Sequence, residues 1–330
     1  MQNNNRFGNF GLIIANSHPE LGKEVAAELK VTPLQIESGL FPNQELKVRR
    51  LCDISGLDVC IFSSLHAGFD TIGEMRLICD SLRGAARIFG VFPFVGTGKS
   101  DHIKMFGEPT AYKETAFQIS SSGLEVAAIF DQHSSQHTGF YDTMHYRLRT
   151  VHHIYLMRIL IEYALAHRDQ FDSVLALDTG GFKRNSKIAE MLKLPVSFII
   201  KDRDAETRKV KIATSRIVGD VAGQRVAAFD DMLQGGGTLE AGARIAKNHG
   251  AKEISFFVVH NDFTPDTFDR INPLLADGTI NRIFILETVP LQNRKKWHKN
   301  LVAISPAKLI AKVISTIHEE GHMRELFLDL

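Results

Sequence analysis

Asp230 and Asp231 close an apolar run, Val226-Ala-Ala-Phe229, and lead at once into Met232-Leu-Gln-Gly-Gly-Gly-Thr238. Adjacent carboxylates before a bare loop point to two tasks in one segment. Glycines let backbone N–H groups approach an anion, and a helix starting near Thr238 adds partial positive charge at its N-terminus. The carboxylates suit ribose hydroxyls, or water-bound Mg²⁺, beside a phosphorylated sugar. Three glycines alone would indicate only a strand-to-helix turn with solvated acids. Placed directly after an apolar strand, the whole segment predicts a site for a ribose phosphate.

Other residues could share that chemistry. Asp178-Thr-Gly-Gly181 is a second strand-end acid followed by glycines, and its plain alternative is a turn. Lys201-Asp-Arg203 opens a polar run to Lys209 that follows a strand and holds little that could be buried, as expected of a mobile loop. His133, in Asp131-Gln-His133, is one of 14 histidines and would pass for an ordinary residue but for its neighbours. Phe41, in Phe41-Pro-Asn-Gln-Glu45, reads equally as a loop packing contact.

The elements that must hold these residues are legible as short apolar strands alternating with amphipathic helices. The strands are Gly11–Ile14, Val59–Phe62, Ile88–Phe94, Val126–Phe130, Val174–Leu177, Val196–Ile200, Val226–Phe229 and Ile254–Val259. Helical spacing follows several of them, over Pro19–Leu29, Thr71–Leu82, Lys187–Leu192 and Leu239–His249. Strands apolar on both faces that alternate with helices predict an α/β fold with parallel sheets. The order runs twice, with a long helical segment expected over Tyr146–His167, so a boundary is placed near residue 148. Residues 1–148 and 149–330 are the two expected domains.

The 330 residues include 39 basic and 38 acidic side chains, for a formal net charge of +1, which gives no bulk attraction to nucleic acid or membrane. Cys52, Cys60 and Cys79 are odd in number and lack a close pair, against a disulfide framework or a zinc knuckle. With no apolar run long enough for a signal peptide or a membrane span, a cytoplasmic protein is expected.

Asp230 through Thr238 resembles the phosphoribosyl-pyrophosphate loop of type I phosphoribosyltransferases, and above all that of phosphoribosyl-pyrophosphate synthetases (ribose-phosphate diphosphokinases). Their pattern is Asp-Asp-x-x-Asp-Thr-Gly-Gly-Thr. The resemblance extends over nearly the whole chain. Phe41 to Glu45 sits where the synthetases carry Phe-x-Asp-Gly-Glu, a loop that reaches a neighbouring subunit's ATP site, so Phe41 would stack on adenine. Glu74 to Arg83 is similar to a helix that is mostly structural in the family. Pro93-Phe-Val-Gly-Thr-Gly-Lys-Ser-Asp101 matches the ATP loop, with Lys99 in place of an arginine, which keeps the charge but loses the planar fork. Asp131-Gln-His133 matches Asp-Leu-His of the Mg²⁺–ATP site, Asp178 to Arg184 the family's Asp-x-Gly-Gly-x-x-Arg, and Lys201-Asp-Arg203 the start of its catalytic loop.

The resemblance implies two similar phosphoribosyltransferase-like domains and transfer of the diphosphate of ATP to the anomeric hydroxyl of ribose 5-phosphate, releasing AMP. Lys201 and Arg203 would be catalytic. Phe41, Asn43, Glu45, Lys99, Ser100, Asp101 and His133 would bind ATP, and His133 and Asp178 would hold Mg²⁺. Asp178, Gly180, Gly181, Asp230, Asp231, Gln234, Gly235, Gly236, Gly237 and Thr238 would bind the sugar phosphate. A homo-oligomer, dimer or hexamer, is implied as well.

Gln234-Gly235 departs from the family's Asp-Thr. Losing a carboxylate and a threonine side chain would tolerate a bulkier or more charged 5′ group, so ADP-ribose is a second expected acceptor. A non-catalytic, regulatory synthetase-like subunit is a third reading, but it would have no reason to keep Lys201, Arg203, His133 and Asp178 together. A transferase that consumes phosphoribosyl pyrophosphate would leave Phe41 and Asp131-Gln-His133 unexplained.

Overall fold

The computed structural model of the chain describes residues 6–66, 69–202, 204, 207, 210–291 and 294–328. Contacts divide it into two units. One comprises the residues up to Tyr155 with Thr288–Pro290 and Ser305–Phe327; the other comprises Leu156–Glu287 with Leu291–Ile304. A single cut near residue 148 therefore differs from the contact grouping in three places: the strand that follows it, Thr288–Pro290 and the C-terminal helix.

The first unit contains β1 (Asn9–Ile14), α1 (Pro19–Leu29), β2 (Ile36–Leu40), β3 (Leu46–Arg50), β4 (Leu57–Phe62), α2 (Phe69–Ser81), β5 (Arg87–Phe92), α3 (Ala111–Ser120), β6 (Val126–Phe130) and β7 (Thr150–Ile154). Five strands form a parallel sheet in the order β1-β4-β5-β6-β7, and β2 and β3 form a separate antiparallel hairpin. β7 corrects the long helix expected over Tyr146–His167. Thr150-Val-His-His-Ile154 is the edge strand of this sheet, because its β-branched residues fit a pleated surface better than a helix turn.

The second unit contains α4 (Met157–Ala166), β8 (Ser173–Ala176), α5 (Phe182–Leu192), β9 (Val196–Ile200), β10 (Arg216–Val218), β11 (Arg225–Met232), α6 (Gly237–Asn248), β12 (Glu253–His260), α7 (Thr267–Ala276), β13 (Arg282–Leu286) and β14 (Leu301–Ile304). Its sheet runs β10-β9-β8-β11-β12-β13-β14, parallel except for β10. The sheet core includes a stack of Phe229, Phe257 and Phe284 from three neighbouring strands, with consecutive ring centroids 4.7 Å apart. Strand order reverses between β8 and β11, since the chain builds outward from β8 to β9 and then returns to its other side. Open α/β sheets bind ligands beyond the carboxyl ends of their strands at such a switch.

A final helix, α8 (Ala307–His318), returns to the first unit and packs on α1. Its end is held by a buried ion pair. Arg87 donates to both oxygens of Asp58, at 2.8 and 2.6 Å, and to the Ile317 carbonyl at 3.0 Å, while His318 Nδ1 lies 2.7 Å from Asp58. Removing one member of a buried pair strands the other charge, so Arg87→Ala should lower unfolding stability by about 3–5 kcal/mol. Urea denaturation should show this as a lower midpoint with an unchanged slope.

Candidate active site

The switch point places two acidic turns side by side. Asp178 follows β8, and its Oδ1 accepts from the Gly181 backbone at 2.9 Å, which folds the Asp178–Gly181 turn over the start of α5. Asn185, on the first turns of α5, clamps that helix to β11: its amide donates to the carbonyls of Gly181 and Phe229, both at 3.0 Å, and its oxygen accepts from the Phe229 N–H at 3.2 Å. Arg184 reaches Asp230 at 3.2 Å and Asp231 at 3.7 Å. Asp178, Gly180, Gly181, Asp230 and Asp231 thus form one rigid constellation.

Asp230 is electrostatically costly. Burial first, and the adjacent Asp231 carboxylate second, push it up to about 7, against the opposing pull of Arg184. A cation or a set of ligand hydroxyls placed there would relieve it. Lys201, at the end of β9, holds its ammonium 3.5 Å from Asp178 Oδ2 with a side chain only 6% exposed. Arg203, the other residue expected to be catalytic, lies outside the described residues.

The glycine loop follows β11. Gln234 turns its amide to Asp262 at 2.7 Å, and its carbonyl accepts from Thr267 at 2.6 Å, so α7 buttresses the loop from outside. Gly236 has φ +78°, and a Cβ there would stand 2.9 Å from Ile271; one on Gly237 would stand 3.0 Å from the Arg270 guanidinium. The left-handed backbone and the Ile271 contact exclude a side chain at Gly236, while one at Gly237 would push the guanidinium aside. Gly236 caps α6 without any side-chain acceptor, leaving the N–H groups of the first turn directed at the loop. Gly235 meets only Thr264 Oγ1, at 3.4 Å, so this position has room.

In the first unit, Lys99, Ser100 and Asp101 lie on a turn after β5. Its backbone is fixed by Ser100 N–H donating to the Thr97 carbonyl at 2.8 Å. Gly98 brings the turn against the loop after β6, where an added Cβ would be 3.6 Å from His133 Cβ and 3.8 Å from His137 Cε1. His137 is fully buried, stacks on Tyr112 with centroids 3.9 Å apart, and donates from Nε2 to Asp101 at 2.9 Å. Burial alone would raise Asp101, but hydrogen bonds from His137 and His102 outweigh it and hold it at about 2. The Tyr112 hydroxyl in turn bonds Gln132 and, at 2.9 Å, Tyr141.

Phe41, Asn43 and Glu45 occupy the tip of the β2–β3 hairpin. Phe41 N–H donates to the Glu45 carbonyl at 2.8 Å, and the ring is 44% exposed. Glu74 accepts from Asn16 N–H at 3.1 Å and Ser38 Oγ at 2.5 Å, which ties the hairpin to the loop after β1 and fits the structural role expected of its helix.

The sequence alone gives no role to His137, Asn185 or Arg270, and Arg184 enters only as the last residue of the Asp178–Arg184 segment. His137 is one histidine among 14, and no motif marks the segment that carries Arg270.

Among the described residues no group of three or more His, Cys, Asp or Glu side chains is placed to hold a metal alone. Mg²⁺ does not require one, because it travels on a polyphosphate, keeps its waters and takes one or two protein carboxylates. Asp178, whose side chain is half-exposed at a strand end, is a donor of that kind.

A family model for the N-terminal domain of ribose phosphate pyrophosphokinase matches residues 10–123, and one for the phosphoribosyl transferase domain matches residues 152–273. The chain is 30% identical to a ribose-phosphate pyrophosphokinase of Corynebacterium efficiens over 327 residues, covering 97% of this chain and 96% of that one. Its likeness to the enzyme of that name from Prochlorococcus marinus is 27% over 320 residues, 96% and 94% of the two chains. The crystal structure of phosphoribosylpyrophosphate synthetase from Mycobacterium smegmatis superposes with a TM-score of 0.84 at 27% identity, covering 95% of this chain and all of the other.

Proposed function

The chain belongs to the ribose-phosphate pyrophosphokinase family, and on that footing we propose that it moves the diphosphate of ATP, with Mg²⁺, onto the anomeric hydroxyl of ribose 5-phosphate. The anomeric oxygen forms a bond to the β-phosphorus, the bond from that phosphorus to the oxygen bridging the α-phosphate breaks, and AMP leaves. The carrying observation is the pair of acidic turns, Asp178 and Asp230-Asp231, on the two strands that flank the switch point beside an uncapped, side-chain-free helix start.

Transfer at phosphorus needs positioning and charge cancellation more than covalent help. Backbone N–H groups over Gln234–Thr238 take the 5′-phosphate, and Asp230 and Asp231 accept from the sugar hydroxyls. Lys201 and Arg203 are the cations for the transferring group. Lys99, Ser100 and Asp101 line the ATP turn, with His133 beside it and Phe41, Asn43 and Glu45 serving the adenine of a neighbouring subunit. The exposed Phe41 supports a homo-oligomer, since an aromatic ring on a hairpin tip gains its burial from a partner. Mg²⁺ would supply neutralisation of the polyphosphate charge, with Asp178 a donor for it in the second unit and His133 one in the first. Three free cysteines, two of them buried, favour the cytoplasm.

A second reading keeps the chemistry and changes the acceptor to ADP-ribose. Two features favour it: Gln234 is turned away to Asp262, and Gly235 leaves space where the family has a threonine. Mass spectrometry of products formed from Mg²⁺–ATP with ribose 5-phosphate or with ADP-ribose, in separate incubations, decides between them. AMP and a sugar heavier by a diphosphate are expected with ribose 5-phosphate. Efficient turnover of ADP-ribose alone would select the second acceptor, and no AMP with either would favour a regulatory subunit.

A further inference from the structure

We propose that Arg270 determines acceptor specificity by binding the phosphorylated 5′ end of the sugar; this rests on the ribose-phosphate reading of the glycine loop. α7 presents one face to that loop. Thr267 bonds the Gln234 carbonyl, Ile271 fills the space beside Gly236, and the Arg270 guanidinium lies over Gly237, with Nη1 3.0 Å from where a Cβ would stand.

The guanidinium has donors to offer. Its ion pairs are loose, 3.6 Å to Asp266 and 4.0 Å to Glu240, both beyond good hydrogen-bond length. A surface network would explain an arginine on α7, but not a guanidinium set against the side-chain-free start of α6. Without side chains at Gly236 and Gly237, Ile271 and the guanidinium pack directly against the start of α6. An anion at the first turn of α6 would meet its backbone N–H groups with the planar Arg270 cation beside them, the arrangement that suits phosphate oxygens. Asp266 and Glu240 hold the fork in place without using up its hydrogen bonds.

A lost charge-assisted contact of this kind corresponds to roughly a 10- to 100-fold loss of binding. Arg270→Ala should therefore raise KM for ribose 5-phosphate by about that factor. It should leave kcat within about threefold and KM for ATP unchanged, the pattern of lost ground-state binding. Arg270→Lys should recover part of the affinity, and Arg270→Met, which keeps the apolar stem, should not. Calorimetric titration of ribose 5-phosphate into the full chain gives a second readout independent of turnover.

If the wild type turns over and all three variants keep the wild-type KM, the inference fails and the ribose-phosphate reading stands. If the wild type makes no AMP yet binds ribose 5-phosphate, and Arg270→Met loses that binding, the inference holds and the proposed reaction fails. Should Arg270→Ala fail to fold, Arg270→Met decides.

Discussion

Replacing Lys201 and Arg203 together by alanine should lower kcat for AMP formation by about 10³- to 10⁵-fold, the range seen when a phosphoryl-transfer site loses its transition-state cation. The expected asymmetry matters as much as the size. Lys201 stands 3.5 Å from Asp178 and is almost fully covered, so its charge is already balanced before any nucleotide arrives. A cation so placed adds little to initial capture of ATP, and KM for ATP should stay within a few-fold of wild type. A group that acts mainly as charge develops on the transferring diphosphate shows its loss in kcat and kcat/KM alike. Steady-state kinetics with coupled AMP detection separates these outcomes. Undiminished turnover would remove both residues from the mechanism, and a loss confined to KM would make them ground-state binders. Lys201→Ala also frees Asp178 from its partner, so urea denaturation of the single variant should accompany the kinetics.

How much of this was legible in the sequence follows from where each signal lies. β6 and β9 match the expected runs to the residue, because Val126–Phe130 is an unbroken apolar run between acids and Val196–Ile200 is a β-branched and aromatic run bounded by Pro195 and Lys201. The acids at the ends of β8 and β11, each followed by glycines, are legible for a related reason: an acid at the end of a buried strand has few structural uses. The β2–β3 hairpin was missed since Ser38 and Gly39 interrupt the alternation that would mark β2. β7 was absorbed into the helix that follows it, His152 and His153 carrying no strand preference strong enough to divide them. α7 contains Pro273, which removes one backbone rung and reads as a break, and this masks the helical spacing of Phe268, Ile271, Leu274 and Leu275 on the helix that bears Arg270. The return of α8 to the first unit rests on Arg87, Asp58 and Ile317, partners up to 230 positions apart, and no local pattern encodes that distance.

Asp230→Asn should separate stability from activity in opposite directions. A carboxyl raised on folding, from an ordinary value of 3.8 to about 7, contributes stability that is complete below the unfolded value and is lost as pH climbs through 7. Above that pH the chain holds adjacent carboxylates with Arg184 as their counter-charge, a costly arrangement that sugar hydroxyls would relieve under the proposed function. The amide removes that penalty while retaining the shape. At pH 8 the variant should therefore unfold at a higher urea concentration than wild type, by on the order of 1 kcal/mol or more, and the advantage should shrink as pH falls and vanish only below the ordinary value of 3.8, where Asp230 is protonated in the folded and unfolded parent alike. Turnover should fall by about 10²-fold, since an amide cannot present two acceptor oxygens to the sugar hydroxyls and misorients the attacking oxygen. If the variant were less stable than wild type at pH 8, the like-charge account of the acid pair would be wrong. If it were also fully active, Asp230 would have no part in holding the acceptor, and the repulsion between the two carboxylates would need some other purpose.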